Sequence, residues 1–436
     1  MAPHPTPTRR ARWHLAAGIV LAALNLRTAI TSIGPLLTEI TTDLHLTPVT
    51  TGLLTTLPVL CFAGFGALTP ALQRRWGDHH VLLAALAALT LGLASRALVT
   101  DPWLFLALST LALAGGAVGN VLLPTLVKQH FPHRVGLLTA AYTTAMALGT
   151  TLAAAATVPL ATAFHGNWRP ALASYALLGL VATIPWALAL RNEPRRHPGD
   201  QPISIRTVLT TALGWQSTLF FATQSAIAYI MFGWFAHFLR DHGMPAPHAG
   251  LVLSYLTALA IPTSLAVPAV VARMRNPVLL IALFVTCYLV GFAGLLTAPV
   301  TGAWLWATLI GIGMSSFPLA LTFFGLRARS PHGTAALSAA TQGVGYLLAG
   351  TGPFLFGLLR DLSGDWRLSI GLLVALTFAH RGCGIPLSPP PHIPDPVWPR
   401  PIAPRPGPPC PLTPPGTPPT RPRHNTSSYY TSAPPP

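Results

Sequence analysis

Long apolar segments alternate with short polar loops along most of the chain. A helix needs about 20 mainly apolar residues to cross the hydrocarbon core of a bilayer. The pattern predicts such helices near residues 14–37, 49–72, 79–99, 102–126, 135–160, 169–190, 207–238, 248–271, 277–298, 302–325, 334–359 and 366–380. The expected fold class is therefore an all-α membrane protein with twelve transmembrane helices, six on each side of a polar linker.

The composition supports a lipid environment. The chain has 436 residues, of which 51% are hydrophobic and 8% are charged, whereas a soluble domain has about 25% charged residues. The formal net charge of +16 is spread over short loops rather than along one stripe. We therefore expect the lipid bilayer as a partner and no nucleic acid, and we interpret the N-terminal apolar segment as a first membrane helix rather than a signal peptide.

The basic residues of the loops predict the orientation in the membrane. Arginine and lysine are enriched in cytoplasmic loops. Every second loop is rich in them: Arg9, Arg10, Arg12, Arg74, Arg75, Lys128, Arg134, Arg191, Arg195, Arg196, Arg206, Arg273, Arg275, Arg327 and Arg329. The intervening loops have far fewer: Arg96, Arg169, Arg240, Arg360 and Arg367. Both termini and the linker are therefore expected in the cytoplasm.

Two sequence matches at nearly the same spacing indicate an internal duplication. PVTTGLLTTLPVL (48–60) aligns with PHAGLVLSYLTAL (247–259), and FPHRVGLLTAAYTTAMALG (131–149) aligns with SPHGTAALSAATQGVGYLLAG (330–350). The alternative is chance similarity between helices rich in leucine, alanine and threonine. We predict an N-terminal segment 1–13, a six-helix bundle 14–190, a linker 191–206, a second bundle 207–380 and a tail 381–436.

The last apolar segment is followed by a proline-rich sequence. Because proline interrupts helices, we expect helix 12 to be truncated near residue 380 and the tail after it to be disordered. One interpretation is a frameshift late in the gene, and an inactive transporter remnant is then one alternative for the function of the product. The other interpretation is a genuine proline-rich interaction tail.

Arg27 is the most informative single residue, since it lies near the middle of the first predicted helix. An arginine at mid-membrane costs about 2.5–3.5 kcal/mol or more, so it is expected to face a cavity. No acidic residue lies at mid-membrane in any predicted helix. Arg27 could therefore bind an anionic substrate. Alternatively, helix C-termini and Asn25 satisfy it and its role is structural.

Other polar side chains at similar depth are candidates for the same substrate site. The predicted substrate-binding residues are Arg27, Asn120, Tyr142, Gln224, Tyr229, Ser315, Gln342 and Tyr346. Arg27 matches the neighbourhood of Gln224 through the repeat, and Tyr142 matches that of Gln342, which fits a midplane site. The alternative is that these groups only connect neighbouring helices. A coupled proton or counter-ion would need a histidine, a tyrosine or the substrate itself, and His237 is expected to be an interfacial residue.

Enzymatic and metal-binding motifs are missing from the sequence. The only lysine, Lys128, is not part of an ATP-binding loop, and no HExxH or GxSxG motif occurs. The four cysteines do not form a metal-binding or disulfide pattern. We expect no enzyme activity, no catalytic residues, no metal and no cofactor.

Several stretches resemble the cyanate and nitroimidazole transporter-like branch of the major facilitator superfamily. The resemblance is carried by NLRTAITSIGPLLTEI, GNVLLPTLVKQHFPHRVGLLTAAYTTAMALG, WQSTLFFATQSAIAY and SSFPLALTFFGLRARSPHGTAALSAATQGVGYLLAGTGPFLFGLLRD. The loop GALTPALQRRWG is similar to a degenerate form of the superfamily's gating motif, with Gly66, Arg74, Arg75 and Gly77 in place.

The resemblance implies a major facilitator fold and transport of a small solute by alternating access. We expect a monomeric secondary carrier of an anion or a small polar organic compound, located in the bacterial inner membrane. A multidrug exporter is the alternative within transport. A membrane sensor would need a soluble signalling domain, for which the sequence gives no indication.

Overall fold

A computed structural model describes residues 9–131, 134–189, 208–274, 276–327 and 331–387. These residues all belong to one compact unit, and they form helices and no strands. The predicted linker and most of the predicted tail lie outside the described residues.

Twelve helical elements, α1 to α12, follow one another along the described residues, and four of them are divided into shorter segments. The undivided helices are α2 (Pro48–Trp76), α3 (Asp78–Arg96), α4 (Pro102–His130), α5 (Val135–Ala163), α6 (Trp168–Ala189), α7 (Ala212–Asp241), α9 (Val278–Thr297) and α12 (Arg367–Leu387). The divided helices are α1 (Arg9–Asn25, Thr28–Thr31, Gly34–Leu36 and Leu37–Asp43), α8 (Ala246–Ala258 and Ala260–Arg273), α10 (Ala303–Gly313 and Ser316–Arg327) and α11 (Pro331–Ala349 and Thr351–Ser363).

The lengths and apolar character of these helices fit a membrane protein. Among the described residues, ten helices are long and apolar enough to cross a bilayer, and α6 contributes a shorter apolar stretch, Trp168–Ile184. Many large apolar side chains are exposed on the outside of the bundle, including Leu98, Leu177 and Leu362. Their exposure fits contact with lipid.

The helix ends differ from the predicted ones at two places. Helix α1 continues to Asp43 rather than ending near 37, because it bends at its breaks and carries on. Helix α12 continues to Leu387, so the predicted truncation at residue 380 was placed too early. The residues from Arg381 onward still extend the helix, and the prolines that end the apolar pattern come mainly after it.

Short local signals explain several helix starts. The side chain of Thr47 accepts a hydrogen bond from the Thr50 backbone N–H, and Asp101 does the same for Leu104. Thr211 accepts one from the Gly214 backbone N–H. Such caps satisfy backbone donors that a helix leaves free in its first turn.

Helix packing repeats between the two halves, residues 9–189 and 208–387. In the first half, α3 packs on α4 and α6, and α1 packs on α5 and α6. In the second half, α9 packs on α10 and α12, and α7 packs on α11 and α12. Between the halves, α2 crosses α11 and α8 crosses α5. Each of these contacts has a counterpart six helices later, which confirms the predicted duplication.

Two glycines matched by the repeat lie at these crossings between the halves. A Cβ atom on Gly52 of α2 would be 3.0 Å from Cδ2 of Phe354 on α11. A Cβ atom on Gly250 of α8 would be 3.1 Å from the carbonyl oxygen of Ala154 on α5. Small residues allow close approach of membrane helices, and here they do so at equivalent positions.

Candidate functional site

Arg27 lies at a break in α1, between the segment ending at Asn25 and the segment starting at Thr28. Its backbone carbonyl oxygen accepts a hydrogen bond from the Ile30 N–H and one from the Thr31 hydroxyl. Its side-chain Nε atom is buried and has no hydrogen-bond partner. The Asn25 side chain does not form a described hydrogen bond with Arg27. Its oxygen accepts a hydrogen bond from the Thr28 hydroxyl instead.

Aromatic side chains from three other helices meet near Arg27. The ring of Phe62 on α2 lies 6.4 Å from that of Tyr229 on α7 and 5.5 Å from that of Tyr346 on α11. The two tyrosine rings lie 6.2 Å apart, edge to face. Both tyrosines interact electrostatically with Arg27. The Tyr229 residue is buried, and its hydroxyl group has the Tyr346 hydroxyl as a polar neighbour.

The acidic residues that the structure describes lie near helix ends, away from Arg27. Glu39 pairs with Arg240, Asp43 with Arg169, and Asp241 and Asp361 with Arg360. Asp365 lies 4.0 Å from Arg367, Asp101 caps α4, and Asp78 accepts hydrogen bonds from glutamine side chains. None of these described carboxylates forms an ion pair with Arg27.

The structure brings some predicted site residues together and not others. Arg27, Tyr229 and Tyr346 share one cluster. Gln342 lies one helical turn before Tyr346, and its amide donates to the Ser338 hydroxyl. Gln224 is buried and accepts a hydrogen bond from Ser225.

Three predicted residues have no described polar contact with this cluster. Tyr142 is buried in the core of the bundle, and Asn120 is half-buried on α4. Ser315 lies at the break in α10, where its hydroxyl bonds to the carbonyl oxygen of Gly311 at 3.5 Å.

The predicted gating motif lies at the junction of α2 and α3. Arg74 and Arg75 are exposed in the last turn of α2, and Gly77 joins the helices with a φ of 79° that favours glycine. Gly66 lies further back in α2, where an added Cβ would be 3.7 Å from Val121. These four residues do not contact the Arg27 cluster.

Arg96 is a buried cation that the sequence prediction missed. It is the last residue of α3, and it was counted among the loop arginines. Its side chain is fully buried. It donates a 3.5 Å hydrogen bond to the Ala29 carbonyl oxygen and a 3.3 Å bond to the Ser32 hydroxyl, both on α1. Like Arg27, Arg96 forms no ion pair with a described carboxylate.

His380 is a second missed polar residue, in α12. It is fully buried and stacks on Phe220, with ring centroids 4.1 Å apart. Its two ring nitrogens lie 3.1 Å from the hydroxyls of Thr223 on α7 and Ser316 on α10. The residue thus connects three helices of the second half, and its position at the predicted end of helix 12 concealed this role.

The two ends of the bundle differ in their polar contacts. We call the end with the α1–α2 and α7–α8 loops the distal end, and the end with the 190–207 linker the linker end. Near the distal end, Arg240 binds both carboxylate oxygens of Glu39, at 2.7 and 2.8 Å, and also the Pro35 carbonyl oxygen. The Thr38 hydroxyl lies 3.0 Å from Nδ1 of His237. These contacts join the two halves.

Further hydrogen bonds between the halves lie in the same distal part of the bundle. The Trp234 indole N–H donates to the Thr55 hydroxyl. The Ser254 hydroxyl donates to the Thr151 carbonyl oxygen, and the Thr151 and Thr257 hydroxyls lie 3.3 Å apart. The hydrogen bonds named here between the two halves therefore lie on the distal side of Arg27.

Comparison with known proteins identifies the family. A model of the Major Facilitator Superfamily matches residues 19–353. The 2-nitroimidazole transporter of Escherichia coli (strain K12) is 37% identical over 359 residues, covering 82% of this chain and 90% of that protein. The cyanate transport protein CynX of the same organism is 28% identical over 371 residues, covering 83% and 96%.

A solved structure shows the same fold. The crystal structure of the nucleoside transporter NupG superposes with a TM-score of 0.68 at 14% identity, covering 86% of this chain and 99% of that one. The repeated helix packing described above is the arrangement expected for parallel six-helix repeats. The chain is a multi-pass membrane protein that belongs to the major facilitator superfamily.

Proposed function

We propose that this protein is a secondary active transporter of a small planar or linear solute with negative charge or a strong negative dipole. The single observation that carries this proposal is the position of Arg27, unpaired among Phe62, Tyr229 and Tyr346. A guanidinium group offers a flat array of donors to such a solute. Aromatic rings add stacking surfaces for a planar one.

The relatives named above support this substrate class. Nitroimidazoles are flat rings with an electron-rich nitro group, and cyanate is a linear anion. Both have the size and the negative end that an arginine between aromatic rings would accommodate. The neighbouring rings lie 5.5–6.4 Å from one another, which favours a small solute over the large compounds of a multidrug exporter.

Alternating access is the mechanism we propose, with the site open toward the linker end in this conformation. The support is the set of hydrogen bonds that joins the halves on the distal side of Arg27. The loop charges support a cytoplasmic position for the linker end. The conformation is then inward-facing. An added cysteine at position 200 should resist impermeant thiol reagents applied outside intact cells, and efficient labelling would reverse this orientation.

The packing of α12 argues against an inactive remnant. Helix α12 packs on α7 and α9, as its counterpart α6 packs on α1 and α3. The described part of α12 therefore provides the packing that the fold requires.

Transport assays in proteoliposomes test the proposal directly. With cyanate and 2-nitroimidazole as solutes, Arg27→Ala should lower uptake about 10- to 100-fold, because a charge-assisted hydrogen bond contributes about 1.5–3 kcal/mol. Arg27→Lys keeps the charge but loses the planar donor array, so it should reduce uptake less. The matched control is Arg367→Ala, an exposed arginine. Uptake by Arg27→Ala at the native rate, with equal protein in the vesicles, contradicts the proposal.

A further inference from the structure

A small cavity lies next to the Arg27 cluster, on its distal side. It has a volume of about 20 Å³. Its walls come from α1, α2, α3, α4 and α7, and the lining includes Ala29, Thr55, Arg96, Ser109 and Tyr229. Tyr229 therefore borders both this cavity and the aromatic group around Arg27.

Two polar side chains that line this cavity are fully buried and incompletely hydrogen-bonded, Arg96 and Ser109. The Nε atom of Arg96 and the hydroxyl of Ser109 each have no hydrogen-bond partner among the described residues. Two such donors on one cavity form a built polar site, because buried polar groups in proteins are nearly always hydrogen-bonded.

The charge of this cavity is positive. An arginine side chain stays protonated in proteins, and Arg96 has only two long hydrogen bonds, to Ala29 and Ser32. The carboxylates that the structure describes have other partners near the helix ends. An isolated buried charge is strongly unfavourable unless it is compensated. A negative ion in the cavity would provide that compensation.

We propose that this cavity is a binding site for a small inorganic monovalent anion of halide size, held by Arg96 and Ser109. The volume admits one water-sized particle, which excludes an organic carboxylic acid. Arginine and serine both offer N–H or O–H donors to an anion. The site is separate from the proposed solute site at Arg27 and does not require that Arg27 bind the transported solute.

Halide-dependent thermal stability of the purified full-length protein tests this site. Chloride or bromide replaces gluconate at constant ionic strength, and the melting temperature is followed. The wild-type protein and Arg27→Gln should both show a saturable rise. Ser109→Ala should increase the half-saturating halide concentration about tenfold, because it removes one hydrogen bond to a charged ligand. Arg96→Gln should abolish the rise.

The matched control is Thr110→Val, because Thr110 is adjacent in α4 and its hydroxyl bonds to the Leu106 carbonyl oxygen. It should keep the wild-type halide response. A wild-type melting temperature independent of halide would mean that the cavity holds water and would overturn the proposal. A wild-type halide response in Ser109→Ala would also overturn the proposal. Because Ser109→Ala keeps the packing, this variant decides the question even if Arg96→Gln does not fold. Loss of the response in Arg27→Gln alone would assign it to Arg27 and also overturn the proposal.

Discussion

The distal and linker ends of this transporter use polar side chains for different purposes. At the distal end, polar contacts cross from one half to the other, with the Glu39–Arg240 pair as the strongest of them. At the linker end, the polar contacts described here join residues of the same half. Gln73 and Gln129 bind Asp78, and His79 lies 2.9 Å from His130, all in the first half.

Under the alternating access proposed above, this difference separates contacts that break during transport from contacts that persist. A rocking movement of two rigid halves would require the distal contacts to form and dissolve in each cycle. The contacts within a half keep each bundle intact as it moves. Substitutions at the distal end should therefore shift conformation, whereas substitutions at the linker end should change stability.

The largest effect is expected from Gly34→Val in α1. A Cβ atom there would lie 2.4 Å from the carbonyl oxygen of Phe232 on α7. Because a backbone carbonyl group cannot rotate away as a side chain can, the clash would force the two halves to separate at the distal end. A cysteine placed at Ala29, in a protein without native cysteines, should then react with an impermeant maleimide from the distal side at least about tenfold faster.

Gly66→Val is the matched control for this experiment. Its added atoms point toward Val121 within the first half, where a Cβ would be 3.7 Å away. Labelling at position 29 should stay at the parent rate. Equal rates in both variants would show that the crossing at Gly34 does not hold the distal end closed.

A smaller shift is expected from Arg240→Gln. Loss of a partly buried ion pair between the halves should cost the closed distal end about 1 kcal/mol. Labelling at position 29 should therefore rise about fivefold. Arg169→Gln removes a similar pair with Asp43, but inside the first half, so its labelling rate should not change. A similar increase of the labelling rate in Arg240→Gln and Arg169→Gln would indicate a general charge effect. It would contradict the distinction between an ion pair that joins the halves and one within a half.

The smallest change in conformation is expected at the linker end, with Asp78→Asn. Both carboxylate oxygens of Asp78 accept hydrogen bonds from glutamine amides. In the variant, the side-chain NH2 group would replace one of these oxygens and would face an N–H donor, so one hydrogen bond would be lost. The loss of about 1–3 kcal/mol should lower the melting temperature by a few degrees without altering labelling at position 29. The exposed Arg74→Gln is the control, with a melting temperature within about 1 °C of wild type. Faster labelling in Asp78→Asn would show that this end also regulates distal closure.

The fold was largely predictable from the sequence because hydropathy and repeat spacing act over long segments. The twelve-helix pattern and the duplication were both confirmed. The breaks inside the helices were not predicted. The breaks in α11 and α10 lie at glycines, at Gly350 and just after Gly313, whereas the break at Leu259 in α8 has no glycine beside it.

The candidate site was less predictable, since its chemistry depends on contacts between distant helices. Arg27 stood out because it interrupts an apolar run. Arg96 did not, because it ends an apolar helix and its burial depends on the neighbouring segment of α1. His380 stood at the end of the last predicted helix, and its burial likewise depends on contacts with other helices.

Arg27 and Arg96 also have an electrical consequence. A potential of 100 mV changes the energy of one elementary charge crossing the full membrane field by about 2.3 kcal/mol. Neither arginine pairs with a described carboxylate, so a core without any bound anion carries two positive charges. One bound monoanion halves that charge. For the substrates proposed here, the membrane voltage would therefore act differently on the loaded and the empty carrier, and the return of the empty carrier would be the more voltage-sensitive step.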